Sequence, residues 1–195
     1  MKEKKILGIN GSHKIGGNTG LILGKALEVC ENRGFEVEEI DLASRDIRFC
    51  TDCGLCKTKY ACNIGDDAMD ILDALKSADG VIIASPVYFG CVSGRLKTLF
   101  DRTLPLRRNG MLLSGKVGAA LTVGGSRNGG QEHTIQQIHL WMLINEMTVV
   151  GDKQTAHFGG ICVGRNPGDA LKDEDGIKTV INTAEKVCEL LKNSV

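Results

Sequence analysis

The stretch Gly80-Val81-Ile82-Ile83-Ala84-Ser85-Pro86-Val87-Tyr88-Phe89-Gly90 decides the fold. Its first five residues are uninterruptedly small or apolar, as a strand buried on both faces of a parallel sheet must be. The strand ends in a serine, a proline, two aromatics and a glycine, which is the composition of a ligand-facing loop rather than of a hairpin. Reading outward, a helical pattern opens near Asp66, with Met69, Ile71, Leu72, Ala74 and Leu75 as its apolar positions. A second helix runs from Val92 to about Arg102, where Asp101 and Arg102 read as a solvated face. The same strand–helix alternation fills the rest of the chain. Lys5–Asn10 predicts a buried strand and Asn18–Arg33 a helix closed by Gly34. Glu36–Leu42 predicts a second strand and Lys116–Val123 a fourth, followed by a helix from about Gln131 to Met147. A fifth strand is expected within Thr155–Val163, and a last helix from about Asp175 to Lys192. Five strand–helix units in this order give an α/β fold, a doubly wound five-stranded parallel sheet with helices on both faces. Residues 1–195 read as one domain, from which 44–65 departs as an irregular, cysteine-rich loop after the second strand.

Composition narrows the function. Lys+Arg and Asp+Glu both count 24, so the formal net charge is zero, without the basic excess expected of a nucleic-acid or membrane-surface protein. There are 25 glycines but only 3 prolines, against usual shares of about 7% and 5%, which favours tight ligand-contacting turns over a disordered linker. The charged start Met1-Lys2-Glu3-Lys4-Lys5 precedes an apolar run too short for a signal peptide. No window approaches the ~18 apolar residues of a spanning helix. The expected location is cytoplasmic, where thiols stay reduced and clustered cysteines bind metal or do redox chemistry.

Three loops fall at the carboxyl ends of the strands, where open α/β sheets bind ligands. The first is Asn10-Gly11-Ser12-His13-Lys14-Ile15-Gly16-Gly17-Asn18-Thr19. Its hydroxyl and amide side chains and a helix N-terminus suit a phosphate. It matches neither the triphosphate-binding pattern nor Gly-x-Gly-x-x-Gly; the competing reading is a helix cap at Asn18 plus a turn. The second, Ser85 to Gly90, offers Pro86, Val87, Tyr88 and Phe89 as a stiff wall for a planar ring. The competing reading is a strand end whose aromatics pack in the core. The third runs from Gly124 to Glu132, with Gly124, Gly125, Gly129 and Gly130 making four glycines in seven residues, which permits close backbone approach to a ligand.

Taken together, a phosphate loop and two planar-ring walls describe FMN. The motifs Gly11-Ser12…Gly17-Asn18-Thr19, Ser85-Pro86-Val87-Tyr88-Phe89-Gly90 and Gly124-Gly125…Gly129-Gly130-Gln131-Glu132 resemble those of the NADPH-dependent FMN reductase family. That resemblance extends from the first strand to about Met147 and implies a flavodoxin-like fold. It assigns the phosphate to loop one, through Ser12, Lys14, Gly17, Asn18 and Thr19, and the isoalloxazine to Pro86, Val87, Tyr88, Phe89, Gly90, Gly124, Gly125, Gly129 and Gly130. Lys14 stands where relatives commonly carry Arg, keeping the charge but losing the bidentate fork.

Cys50-Thr51-Asp52-Cys53-Gly54-Leu55-Cys56 continues to Cys62, a C-x2-C-x2-C-x5-C run. Steps of three let one turning loop aim three thiolates at a point, and a fourth can close the cage. Thiolates select iron–sulfur clusters or zinc. Structural zinc sites normally use two separated knuckles, whereas an unbroken C-x2-C-x2-C is the pattern of the run that holds a [4Fe-4S] cluster. A zinc knuckle and four reduced thiols are the alternatives. Cys30 and Cys188 on helical faces, Cys162 in a strand, and Cys91 after the second loop read as small core residues. His13, His133, His139 and His157 show neither metal spacing nor a triad partner and receive no catalytic role.

A cysteine run inserted after the second strand of an FMN-binding sheet resembles the iron-sulfur flavoprotein family. The resemblance implies FMN and one [4Fe-4S] cluster on Cys50, Cys53, Cys56 and Cys62, in a homodimer or homotetramer. The expected function is electron transfer between a one-electron, ferredoxin-like donor and a small-molecule or protein acceptor, without nucleic acid or membrane. The alternatives are an NAD(P)H-dependent FMN/quinone reductase with structural or regulatory cysteines, and a non-enzymatic zinc-containing flavin-binding module.

Overall fold

A computed structural model describes residues 4–193; the charged start before Lys4 lies outside them. The strands are β1 (Lys5–Asn10), β2 (Glu36–Asp41), β3 (Gly80–Pro86), β4 (Val117–Gly124), β5 (Thr148–Val150) and β6 (Gly160–Val163). The helices are α1 (Asn18–Asn32), α2 (Ala68–Ser77), α3 (Gly94–Arg102), α4 (Leu104–Arg108), α5 (Gln131–Ile144) and α6 (Glu174–Asn193). All pairings between these strands are parallel, in the order β2-β1-β3-β4-β5, with β6 also on β4. This is the flavodoxin-like order.

Period-two alternation divides the core between the two faces of the sheet. Ile6, Ile82, Ala119 and Leu121 pack with Ile22, Leu23, Val180, Ala184 and Val187 of α1 and α6. Leu7, Ile9, Val81, Ile83 and Ala120 pack with Ile71, Leu72, Leu96, Ile135 and Ile138 of α2, α3 and α5. Both β3 and β4 are buried along nearly their whole length, which is why their sequences read as apolar runs.

The fifth sheet position departs from expectation. A strand within Thr155–Val163 is present only as β6, on the upper half of β4, while β5 fills the lower half, pairing Val117–Ala119 with Thr148–Val150. Between them the chain leaves the sheet around the buried side chain of Asp152, which accepts from the Gln154 N–H (3.0 Å) and from the Thr155 hydroxyl. It returns at Gly159, where a Cβ would collide with the Ala120 carbonyl, so only glycine lets β6 rejoin β4. Helix α4, five residues with a proline in its first turn, follows α3 without a periodic signal in the sequence. Among the described residues no helix is long and apolar enough to cross a membrane.

Candidate functional site

Parallel strands bring the carboxyl ends of β1, β3 and β4 to one edge of the sheet, and the three glycine-rich loops meet there. The chain runs from β1 to one side into β2 and to the other into β3, so loop one lies at the switch point of the strand order. In loop one, Ser12 is buried; its N–H donates to Asn10 Oδ1 (3.0 Å) and its Oγ accepts from the Lys14 N–H (3.0 Å). The N-cap of α1 is Gly17, with no side-chain cap. The plain helix cap at Asn18 is therefore not what this segment builds. The Asn18 amide instead donates to the Asn166 carbonyl (2.8 Å) and accepts from the Ala170 N–H (3.4 Å), tying loop one to the segment before α6. Thr19 is buried in the first turn, and Lys14 is exposed. A helix start that no side chain caps leaves its first N–H groups and positive dipole end available to an anion, which fits the phosphate of FMN.

Loops two and three touch. Gly130, at φ 102°, would place a Cβ 2.9 Å from the Gly90 Cα, so a side chain there would part the loops. Gln137 donates to the Gly90 carbonyl (3.1 Å) and accepts from the Val92 N–H (3.2 Å). Loop two is further held by the Val87 N–H on the Val123 carbonyl (3.0 Å) and by a short bridge between Tyr88 and Cys91. Pro86 and Val87 are half-buried; Tyr88 is 44% exposed and Phe89 fully exposed, at 104%. The aromatics are thus not core filler. Phe89 also holds a left-handed φ of 53°, and Asn128 in loop three one of 57°, strain of a kind that gathers at ligand sites. His13 of loop one lies against Tyr88, with ring centroids 5.5 Å apart. Gly124 is buried at the end of β4, while Gly125 and Gly129 are exposed.

Three polar residues to which the sequence assigns no role fix this arrangement. Ser93 caps α3 through the Leu96 N–H (3.0 Å), while its hydroxyl donates to the Gly11 carbonyl (2.5 Å) and its N–H to Ser85 Oγ (3.1 Å), joining loops one and two. Gln131 clamps loop three by accepting from the Gly129 N–H and donating to the Ser126 carbonyl, both at 2.8 Å. Gln137 is the third. A serine just ahead of a helix is a readable cap, and Gln131 stands in the quoted third-loop motif; Gln137, whose partners lie 45 and 47 positions away, carries no local signal.

The cysteine loop is built differently. Its two stems, 46–48 and 65–67, are clasped by charge. The N–H groups of Asp46 and Arg48 donate to the carboxylates of Asp67 and Asp66 (both 2.8 Å). Arg102, expected on a solvated face, is buried: its side chain is 1% exposed and that of its partner Asp66 0%. Its fork grips Asp66 at 2.5 and 2.9 Å and donates to the Arg48 carbonyl at 2.7 Å. Burial works against the Asp66 carboxylate, but the guanidinium and the backbone N–H groups of Arg48 and Ala68 hold its carboxyl below the usual range. Helix α4 lies against the turn at Leu55–Lys57, where Asn109 donates to the Cys56 carbonyl (3.1 Å).

Cys50, Cys53, Cys56 and Cys62 all line one cavity of about 360 Å³, solvent-open space included, with Ala61, Ile64, Leu104 and Pro105 as apolar walls. Arg108 Nη1 donates to Cys56 Sγ (3.0 Å) and Arg102 Nη2 to Cys62 Sγ (3.4 Å). Cys50 and Cys53 are exposed, Cys56 and Cys62 half-buried. Four thiols around one cavity, with cationic donors on two of them, are a donor set that fits an iron–sulfur cluster. Among the described residues no three His, Cys, Asp or Glu side chains stand close enough to share a single metal ion.

The remaining singled-out residues divide. Cys30, Cys162 and Cys188 are buried as expected, but Cys91 is exposed beside loop two. His157, read as lacking a partner, has the buried Asp152 Oδ2 at 3.4 Å from its Nδ1.

Comparison with known proteins agrees with this geometry. Residues 4–159 match the family model described as NADPH-dependent FMN reductase. The chain is 50% identical over 189 residues to an iron-sulfur flavoprotein of Methanocaldococcus jannaschii, covering 96% of this chain and 97% of that one. It is 48% identical over 188 residues to the iron-sulfur flavoprotein of Methanosarcina thermophila, covering 96% and 95%. A flavodoxin, WrbA-like protein from Agrobacterium tumefaciens shares the fold at a TM-score of 0.66 and 16% identity, over 98% of this chain and 99% of that one. The chain belongs to the NADPH-dependent FMN reductase family, within its iron-sulfur flavoproteins, and is an FMN-dependent oxidoreductase of flavin-based electron transfer.

Proposed function

We propose that the chain carries electrons between a one-electron, ferredoxin-like donor and a two-electron acceptor, using a [4Fe-4S] cluster on Cys50, Cys53, Cys56 and Cys62 together with FMN on loops one to three. The observation that carries this reading is the single cavity lined by all four cysteines, with guanidinium donors on two of the sulfurs. The cluster supplies one-electron exchange and the flavin one- or two-electron exchange, while the protein positions them. The start of α1, with Ser12, Lys14, Gly17, Asn18 and Thr19 around it, would hold the phosphate. Pro86, Val87, Tyr88, Phe89 and Gly90, facing Gly124, Gly125, Gly129 and Gly130, would orient the isoalloxazine. An open cavity of about 800 Å³, solvent-open space included, adjoins both regions, bordered by His13 of loop one and by Phe49 next to Cys50. The cytoplasmic location belongs to this reading because reduced thiols require it. So does a homodimer or homotetramer, supported by exposed Leu140, Leu143 and Ile144 on α5.

The test is anaerobic reduction of the purified protein by reduced ferredoxin or by NADPH, followed by absorbance. Reduction by ferredoxin, lost in Cys53→Ala or Cys56→Ala together with the iron while FMN is retained, is the expected result. Equal turnover with NADPH in the cysteine variants would instead make the chain an NAD(P)H-dependent FMN/quinone reductase, the reading that the family description favours. Zinc in place of iron beside an inert flavin would make it a non-enzymatic module.

A further inference from the structure

The four sulfurs do not have equivalent surroundings. On one side, Cys50 Sγ accepts from the neutral Asp52 N–H (3.4 Å) and Cys53 Sγ faces Asn63 Oδ1 (3.3 Å). On the other, Cys56 and Cys62 each receive a guanidinium N–H, from Arg108 and Arg102. The two arginines also differ from each other. Arg102 is buried and locked by Asp66 and the Arg48 carbonyl, so its charge is largely compensated and its influence lies in one directed N–H. Arg108 is exposed at the end of α4 and, among the described residues, pairs with no carboxylate.

We propose that Arg102 and Arg108 set the reduction potential of the cage formed by Cys50, Cys53, Cys56 and Cys62, raising it through their hydrogen bonds to Cys62 and Cys56. This inference rests on the reading of those cysteines as cluster ligands. Reduction adds one electron, taken from a low-potential one-electron donor, with no bond made or broken and no proton moved. The thiolate-bound group gains one negative charge. N–H donors and positive charge beside the sulfurs stabilise the more negative state, which raises the potential. The exposed charge of Arg108 is screened by salt, whereas the buried contact of Arg102 is screened much less. The two contributions therefore separate by ionic strength.

The experiment is an anaerobic redox titration of the iron- and FMN-loaded protein. The reduced cluster is followed by electron paramagnetic resonance and the flavin by absorbance in the same samples. Arg108→Gln is expected to shift the cluster's reduction equilibrium about tenfold toward the oxidised form, ~59 mV for a one-electron couple. The shift should shrink at high salt, with the flavin potential, the iron content and the melting temperature of the cluster-free protein unchanged. Arg108→Lys is expected to recover part of it. Arg102→Lys, which keeps the charge but loses the fork, is expected to lower the potential at low and high salt alike. A cluster potential unmoved in Arg108→Gln with iron intact overturns the proposal, as does an equal shift of cluster and flavin. A parent protein that binds FMN but no cluster overturns the ligand reading itself, and this inference with it.

Discussion

The three loops at the ends of β1, β3 and β4 and the cysteine loop stand at the same end of the molecule and are held by opposite means. Loops one to three are short extensions of buried strands. They are fixed by backbone contacts such as the Gly11 N–H on the Ala84 carbonyl (2.8 Å), by the Ser93 hydroxyl, and by direct contact of Gly90 with Gly130. The cysteine loop between β2 and α2 has only two single 3-10 turns of regular structure and hangs on a buried ion pair. The sheet thus places one site through packing, and charge places the other. Damage to either should leave its neighbour standing.

The sharpest way to break that comparison is Asp66→Ala. It leaves the Arg102 guanidinium buried without its partner, a change that costs about 3–5 kcal/mol. Iron should be lost on purification while FMN stays bound, and iron and flavin assays on one sample check this; loss of both in parallel would show that the loops are not independent. Gly130→Ala is the converse. A left-handed position costs an ordinary residue roughly 1–2 kcal/mol, and the new Cβ also presses on Gly90. FMN affinity should fall by about tenfold or more with iron content unchanged, as fluorescence titration would show. Ser93→Ala removes a helix cap worth about 1 kcal/mol and the link between loops one and two. A several-fold weaker FMN affinity and a slightly lower melting temperature are expected.

The smallest effect concerns acid and the segment between β5 and β6. Burial would raise the Asp152 carboxyl, but the Gln154 N–H and Thr155 hydroxyl hold it below its ordinary value. A depressed folded-state pKa gives stability that is fully present above the unfolded value of about 3.9 and is lost progressively as pH falls below it. The stability gap between the parent and Asp152→Asn should therefore be larger at pH 6 than at pH 3 in urea unfolding, with FMN and iron retained at pH 6.

The same contrast explains what the sequence made legible. β1, β3 and β4 are buried on both faces, so their apolar runs announce them. Glycine and hydroxyl clusters at their ends announce the loops, and the cysteine spacing announces a cage. Other features depend on tertiary context. β5 is three residues long and carries no periodicity, and α4 is five residues with a proline in its first turn. Arg102 read as a surface residue because its partner Asp66 lies 36 positions away. Gln137 acquires its role only where α5 meets loop two. The Asp152 contact to His157 likewise forms only because the chain leaves the sheet between β5 and β6.

The central claim, two redox centres on independently held loops, is tested most directly by the absorption spectrum of protein purified without oxygen, with iron, zinc and FMN assayed on the same sample. Flavin bands over a broad iron–sulfur shoulder, bleached by dithionite, with iron in the proportion that a [4Fe-4S] cluster requires for each FMN, are the expected result. Flavin bands without that shoulder, in protein holding zinc or no metal, would contradict it.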